Sequence, residues 1–113
     1  MISVTHYRAR SADFASRGEA ALAILATRPG YVRGQLARST DARADEDGAD
    51  WVLVTEWENV GSYRRALGGM DAKMIAMPLL AEAIDLPSSF EVLAVGKSDG
   101  TIEHGTSDRE PTL

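Results

Sequence analysis

The sequence predicts an α+β fold, a ferredoxin-like βαββαβ antiparallel sheet with its helices on one face, and three observations predict it. Four segments, 2–9, 31–39, 51–57 and 90–95, alternate with a period of two, as strands do. Two segments, 11–28 and 60–84, carry apolar residues at helical spacing. Their order is strand, helix, strand, strand, helix, strand. Short connections and right-handed crossovers then put the first and third strands at the centre of the sheet. One domain is expected: the 113 residues, 44% hydrophobic and 26% charged, suit a single core and exclude wholesale disorder.

The first strand sets Ile2, Val4, His6 and Arg8 on one side and Ser3, Thr5, Tyr7 and Ala9 on the other. Ser11 is positioned to cap the helix that follows, and Asp13 places negative charge at the positive end of the helix dipole. Phe14, Gly18, Ala21, Leu22 and Leu25 make its apolar stripe, and Pro29-Gly30 stops it. The second strand alternates Tyr31, Arg33 and Gln35 with Val32, Gly34 and Leu36. Residues 40–50, with Asp41, Asp45, Glu46, Asp47 and Asp50, read as a solvated hairpin tip. The acidic run lacks the alternating oxygen ligands of a calcium loop. The third strand, 51–57, is apolar on both faces up to Thr55, as a central, doubly covered strand is.

The second helical region is segmented. Val60, Tyr63, Arg64 and Leu67 share a face, Gly68-Gly69 breaks it, and Met70, Met74 and Met77 resume before Pro78 starts a final helix with Leu79, Leu80, Ala83 and Ile84. Pro87 precedes the last strand. The expected division is a folded domain at 1–96 and a flexible polar tail at 97–113.

Val52, Val54 and Glu56 face one side of the third strand and Leu53, Thr55 and Trp57 the other, so neither side is patterned for water. One layer of helices leaves the second side bare, and a second copy is the natural cover, which predicts a homodimer. The net charge of −5 argues against a nucleic-acid partner. The absence of cysteine excludes disulfides and thiolate chemistry. No apolar run reaches membrane-spanning length and no export signal opens the chain, so no membrane association and a cytoplasmic location are expected.

Pro29-Gly30-Tyr31 after the first helix, the strand ending in Trp57-Glu58, Tyr63 six positions after that tryptophan, and Pro78-Leu79-Leu80 together resemble the antibiotic biosynthesis monooxygenase family, a branch of the dimeric α+β barrel proteins. The resemblance runs from about residue 2 to residue 95. It implies a ligand between sheet and helices. In characterised monooxygenases of the family, a polycyclic phenolic substrate is oxidised by oxygen to a quinone without metal or flavin. A deprotonated phenol is electron-rich enough to reduce oxygen, so the protein's task is to bind, deprotonate and orient it.

By that resemblance Trp57 matches a pocket tryptophan whose indole N–H can donate to a substrate oxygen, and Tyr63 matches a pocket tyrosine. Leu53 stands where some members carry asparagine, Leu36 near a second-strand tyrosine and Met77 near a late-helix arginine, which implies a greasier pocket. Thr55, Leu67 and Met74 complete the expected substrate-binding set, the methionines reading either as a deformable wall or as core filler. The haem-degrading branch needs a first-strand asparagine and a second-helix histidine. Neither is present, Leu67 standing about where the histidine would be, so no cofactor and no metal are expected.

His6 is the acid–base candidate, because imidazole side chains exchange protons near neutral pH. Its neighbours Ile2 and Val4 allow it to face a cavity, or else the core or a dimer interface. The expected function is a cofactor-independent monooxygenase acting on a hydrophobic phenolic or enolisable molecule, with His6, Trp57 and Tyr63 as its catalytic set. The alternatives are a cyclase or isomerase using the same pocket, and a non-catalytic ligand-binding or stress-associated dimer.

Overall fold

A computed structural model of the chain describes residues 1–41 and 48–105; the acidic run Asp45-Glu46-Asp47 lies outside the described residues. In chain order the elements are β1 (Ile2–Ala9), α1 (Ser11–Ala26), β2 (Tyr31–Arg38), β3 (Ala49–Trp57), α2 (Val60–Ala66), α3 (Met77–Leu80), β4 (Ser89–Phe90), β5 (Ala94–Gly96) and β6 (Ile102–His104). The main sheet has the order β2-β3-β1-β4 with every neighbouring pair antiparallel, the ferredoxin-like arrangement with β1 and β3 central.

Register decides which side chains meet the helices. Ser3 pairs with Thr55, Thr5 with Leu53 and Tyr7 with Trp51, and all six are buried. Because side chains alternate across a strand, His6, paired with Val52, points to the opposite face with Ile2, Val4 and Val54. The helix side is filled by Phe14, Ala21 and Leu25 of α1 and by Ala66, Ala72, Ala76 and Leu79. Phe14 sits between Tyr7 and Trp51, with ring centroids 4.9 and 5.2 Å away. Gly18 lets α1 approach β2, since a Cβ there would stand 2.8 Å from Leu36 Cδ2.

Helix α1 starts one residue earlier than Ser11 capping requires. Arg10, in extended conformation, occupies the cap position and Ser11 is the first helical residue. The helix ends ahead of Gly30, whose φ of 87° belongs to the left-handed region that glycine enters without strain. A Cβ on Gly30 would lie 2.3 Å from Ser62 Oγ, so this turn also seats α2 against the sheet edge.

Past the Gly68-Gly69 turn the chain is helical again over 70–80, but through a π-helical turn, Ala72–Ala76, directly into α3. Pro78 lacks a backbone N–H and crowds the preceding carbonyls, and the wider turn absorbs that without the break expected there. The expected helix through Ile84 is corrected. Residues 81–88 are irregular, and Ile84 N–H donates instead to His6 O at 2.7 Å, with Val4 N–H bonded to Ser88 O at 2.7 Å. An Arg17–Glu82 ion pair ties this segment to α1.

The last strand is also shorter than expected: only Ser89 and Phe90 pair with β1. Ala94–Gly96 leaves the main sheet and pairs with Ile102–His104 in a separate hairpin. The expected loose tail is therefore corrected over 97–105, while residues 106–113 lie outside the described residues. Gly100, at φ 88°, closes the turn, and the Asp99 side chain accepts from Thr101 N at 2.9 Å.

The sheet face away from the helices carries Ile2, Val4, His6, Val52 and Val54, all half-buried, with Phe90 exposed at its edge. Ion pairs flank it, Arg33–Glu56 at 3.1 Å and Arg8–Asp50 at 3.2 Å. No described helix is long and apolar enough to cross a membrane.

Candidate active site

On the helix-facing side of β1 the sequence presents Ser3, Thr5 and Tyr7, three hydroxyls where a core strand usually carries aliphatic groups. Each buried hydroxyl must find a partner. Tyr7 OH donates to Thr5 Oγ1 at 2.9 Å, Thr5 Oγ1 to Leu53 O at 3.4 Å, and Ser3 Oγ to Tyr63 OH at 3.1 Å. Burial raises the Tyr7 phenol above its ordinary range, the hydrogen bond to Thr5 opposes that, and the nearby Tyr63 adds to it.

Tyr63 reaches this layer because α2 is anchored at its start. Asn59 Oδ1 accepts from Ser62 N at 2.8 Å, a side-chain cap that satisfies an open helix donor. The Tyr63 ring then packs on Trp57, with centroids 5.5 Å apart, and Trp57 meets Tyr31 edge-on at 5.4 Å.

Beside these hydroxyls opens a cleft of about 360 Å³. Its floor has Thr5, Tyr63 and Ser88; Leu67, Met77, Leu80, Ile84 and Leu86 supply apolar walls; Asp85 is the carboxylate of the lining. Apolar walls with a few convergent polar groups are the usual make-up of a small-molecule site. Among the described residues no three His, Asp or Glu side chains gather as a metal would need.

No protein-family model and no curated protein matches the sequence. Solved structures do. SnoaB, a cofactor-independent oxygenase from Streptomyces nogalater, is 25% identical, with 99% of this chain and 94% of that chain covered and a TM-score of 0.59. The structural likeness is thus to proteins of the antibiotic biosynthesis monooxygenase type. A candidate antibiotic biosynthesis monooxygenase from Nitrosomonas europaea shares the fold at 13% identity, 92% and 88% coverage and TM-score 0.54. So does a conserved protein from Methanosarcina mazei, at 16% identity, 78% and 84% coverage and TM-score 0.58.

Within this fold the expected site residues separate into three groups. Tyr63, Leu67 and Met77 line the cleft. Trp57, Leu53, Thr55 and Leu36 belong to the packing between sheet and helices and not to the lining: Trp57 is 1% exposed, its indole N–H is taken by Thr55 Oγ1 at 2.8 Å, and Leu36 covers Gly18. Met74 and His6 are displaced. Met74 is 69% exposed on the outer side of the π-helical turn, and His6 is on the far face of the sheet, so neither joins Tyr63. Of the orientations left open for His6, strand alternation removes the one facing the helices, and with it the role of His6 beside Trp57 and Tyr63: the hydroxyl side of β1, not its Ile2–Val4 side, faces the helices.

Sequence reasoning missed the polar residues Thr5, Ser88 and Asp85 and the apolar Leu80, Ile84 and Leu86 in the lining, and Ser3 and Tyr7 behind it. A signal for the strand residues exists. Ser3, Thr5 and Tyr7 share one side of β1, and the register places them opposite Thr55, Leu53 and Trp51, the side of β3 that carries both tryptophans.

Proposed function

We propose that the chain is a cofactor-independent monooxygenase that takes a hydrophobic phenolic or enolisable molecule into the Thr5–Tyr63 cleft and oxidises it with O2. The observation that carries this reading is the pairing of apolar walls with a hydroxyl floor in a fold that covers a cofactor-independent oxygenase almost end to end. The walls offer apolar contact to a flat aromatic body, and Tyr63 and Ser88 offer hydrogen bonds to its oxygens.

In the first step the substrate O–H bond breaks, its electron pair stays on the substrate oxygen, and the proton passes to Asp85, which takes the place foreseen for His6. The resulting anion reduces O2. One oxygen atom becomes a carbonyl on a ring carbon that gives up two hydrogens, the other leaves with those hydrogens as water, and the proton on Asp85 returns to the product oxygen. The half-buried apolar sheet face, rimmed by the Arg33–Glu56 and Arg8–Asp50 pairs, supports a homodimer joined sheet to sheet.

The test is oxygen uptake with a dihydroxy-aromatic such as 1,8-dihydroxyanthrone. Saturable uptake that Tyr63→Phe weakens supports the reading. Turnover that continues under argon contradicts it in favour of an isomerase or cyclase, and binding without turnover contradicts it in favour of a carrier.

A further inference from the structure

The hydroxyl pair Ser3–Tyr63 has a fixed direction. Ser3 is buried, and among the described residues its Oγ has one hydrogen-bond partner, Tyr63 OH at 3.1 Å. A buried hydroxyl proton left without an acceptor is costly, so the Ser3 proton is committed to the Tyr63 oxygen. That occupies one lone pair of the phenol. The Tyr63 proton has no acceptor among the described residues, and Tyr63 lines the cleft. Thr5, also in the lining, is already engaged twice, receiving from Tyr7 and donating to Leu53 O. Packing against Trp57 holds the Tyr63 ring while Ser3 holds its oxygen.

We propose that Ser3 is a positioning residue that fixes Tyr63 as a hydrogen-bond donor into the cleft, so that the cleft selects a ligand oxygen that only accepts, as an ionised phenol or enol does. This rests on the reading of the cleft as the ligand site. Donation by a preset hydroxyl favours the anion over its neutral parent, because a charge-assisted hydrogen bond is the stronger one. Selectivity for the ionised ligand thus depends on a residue that the ligand does not touch.

The test measures binding of pentafluorophenolate and of pentafluorobenzene, which has the same ring without the oxygen, to the full chain by fluorine NMR. Ser3→Val and Ser3→Thr are nearly isosteric and differ in the hydroxyl; Ser3→Ala removes it without adding bulk. Ser3→Val and Ser3→Ala are expected to weaken pentafluorophenolate by about tenfold, leave pentafluorobenzene unchanged, and add nothing to Tyr63→Phe. Ser3→Thr is expected to keep the wild-type preference. Loss of both probes alike in Ser3→Ala, or full retention of phenolate affinity, overturns the positioning role while leaving the cleft as the ligand site. Failure of both probes to saturate the wild-type chain overturns the ligand site itself, and this inference with it.

Discussion

The indole N–H of Trp57 donates to Thr55 Oγ1 at 2.8 Å, across two residues of the same strand and with both residues almost wholly buried. The strand pleat puts positions 55 and 57 on one face, so β3 supplies the acceptor for its own tryptophan. Trp57 thereby backs Tyr63 and does not itself line the cleft. Thr55→Val keeps the volume and orphans the indole donor, and is expected to destabilise the chain by about 1–3 kcal/mol in urea unfolding. Thr55→Ser, which keeps the oxygen, is expected to cost less.

Tyr7 gives the fold an alkaline dependence. Its phenol is raised from 10.0, by burial first, so the folded state holds this proton more tightly than the unfolded chain does. The stability it contributes is intact below the unfolded value and is lost as the pH rises from there through the raised folded value. Unfolding midpoints compared at pH 9 and pH 11 should fall in the wild type and fall less in Tyr7→Phe. Tyr31, raised by burial as well, leaves part of the slope in that variant.

Gly30 tests how α2 is seated. Gly30→Ala combines a left-handed φ of 87° with a Cβ 2.3 Å from Ser62 Oγ. A loss of about 1–3 kcal/mol in thermal or urea unfolding is expected. Because Ser62 lies beside Tyr63, ligand affinity should weaken in the same variant.

The two faces of the sheet should be separable by mutation. Val54→Asp places a charge in the middle of the apolar outer face and is expected to shift sedimentation at micromolar concentration from a dimer toward the 12.2 kDa chain. His6→Ala, on that same outer face, should leave pentafluorophenolate affinity in the cleft unchanged. Asp85→Asn should do the reverse, lowering oxygen uptake at least tenfold with the dimer intact.

Much of this architecture is legible in the residues. The alternation of 2–9 and 51–57, the Pro29-Gly30 stop and the Gly68-Gly69 turn each carry a local physical cause, and each matches an element boundary within a residue or two. The inward face of β1 was not legible from hydrophobicity, because Ser3, Thr5 and Tyr7 are buried through hydrogen bonds while Ile2 and Val4 stay half-buried. Irregular residues 81–88 supply much of the cleft, and no periodicity marks them, since their backbone is held by β1. At the C-terminal end a usable signal was present: Asp99-Gly100 between Val95 and Ile102 is hairpin chemistry, hidden by the polar composition around it.

A crystal structure of the chain with 1,8-dihydroxyanthrone bound decides whether the Thr5–Tyr63 cleft is the ligand site. The aromatic body is expected between Thr5 and the 77–86 wall, with a ligand oxygen within hydrogen-bond reach of Tyr63 OH. A ligand seated against His6 and Val52 on the outer sheet face, with the cleft closed by its own side chains, would contradict it.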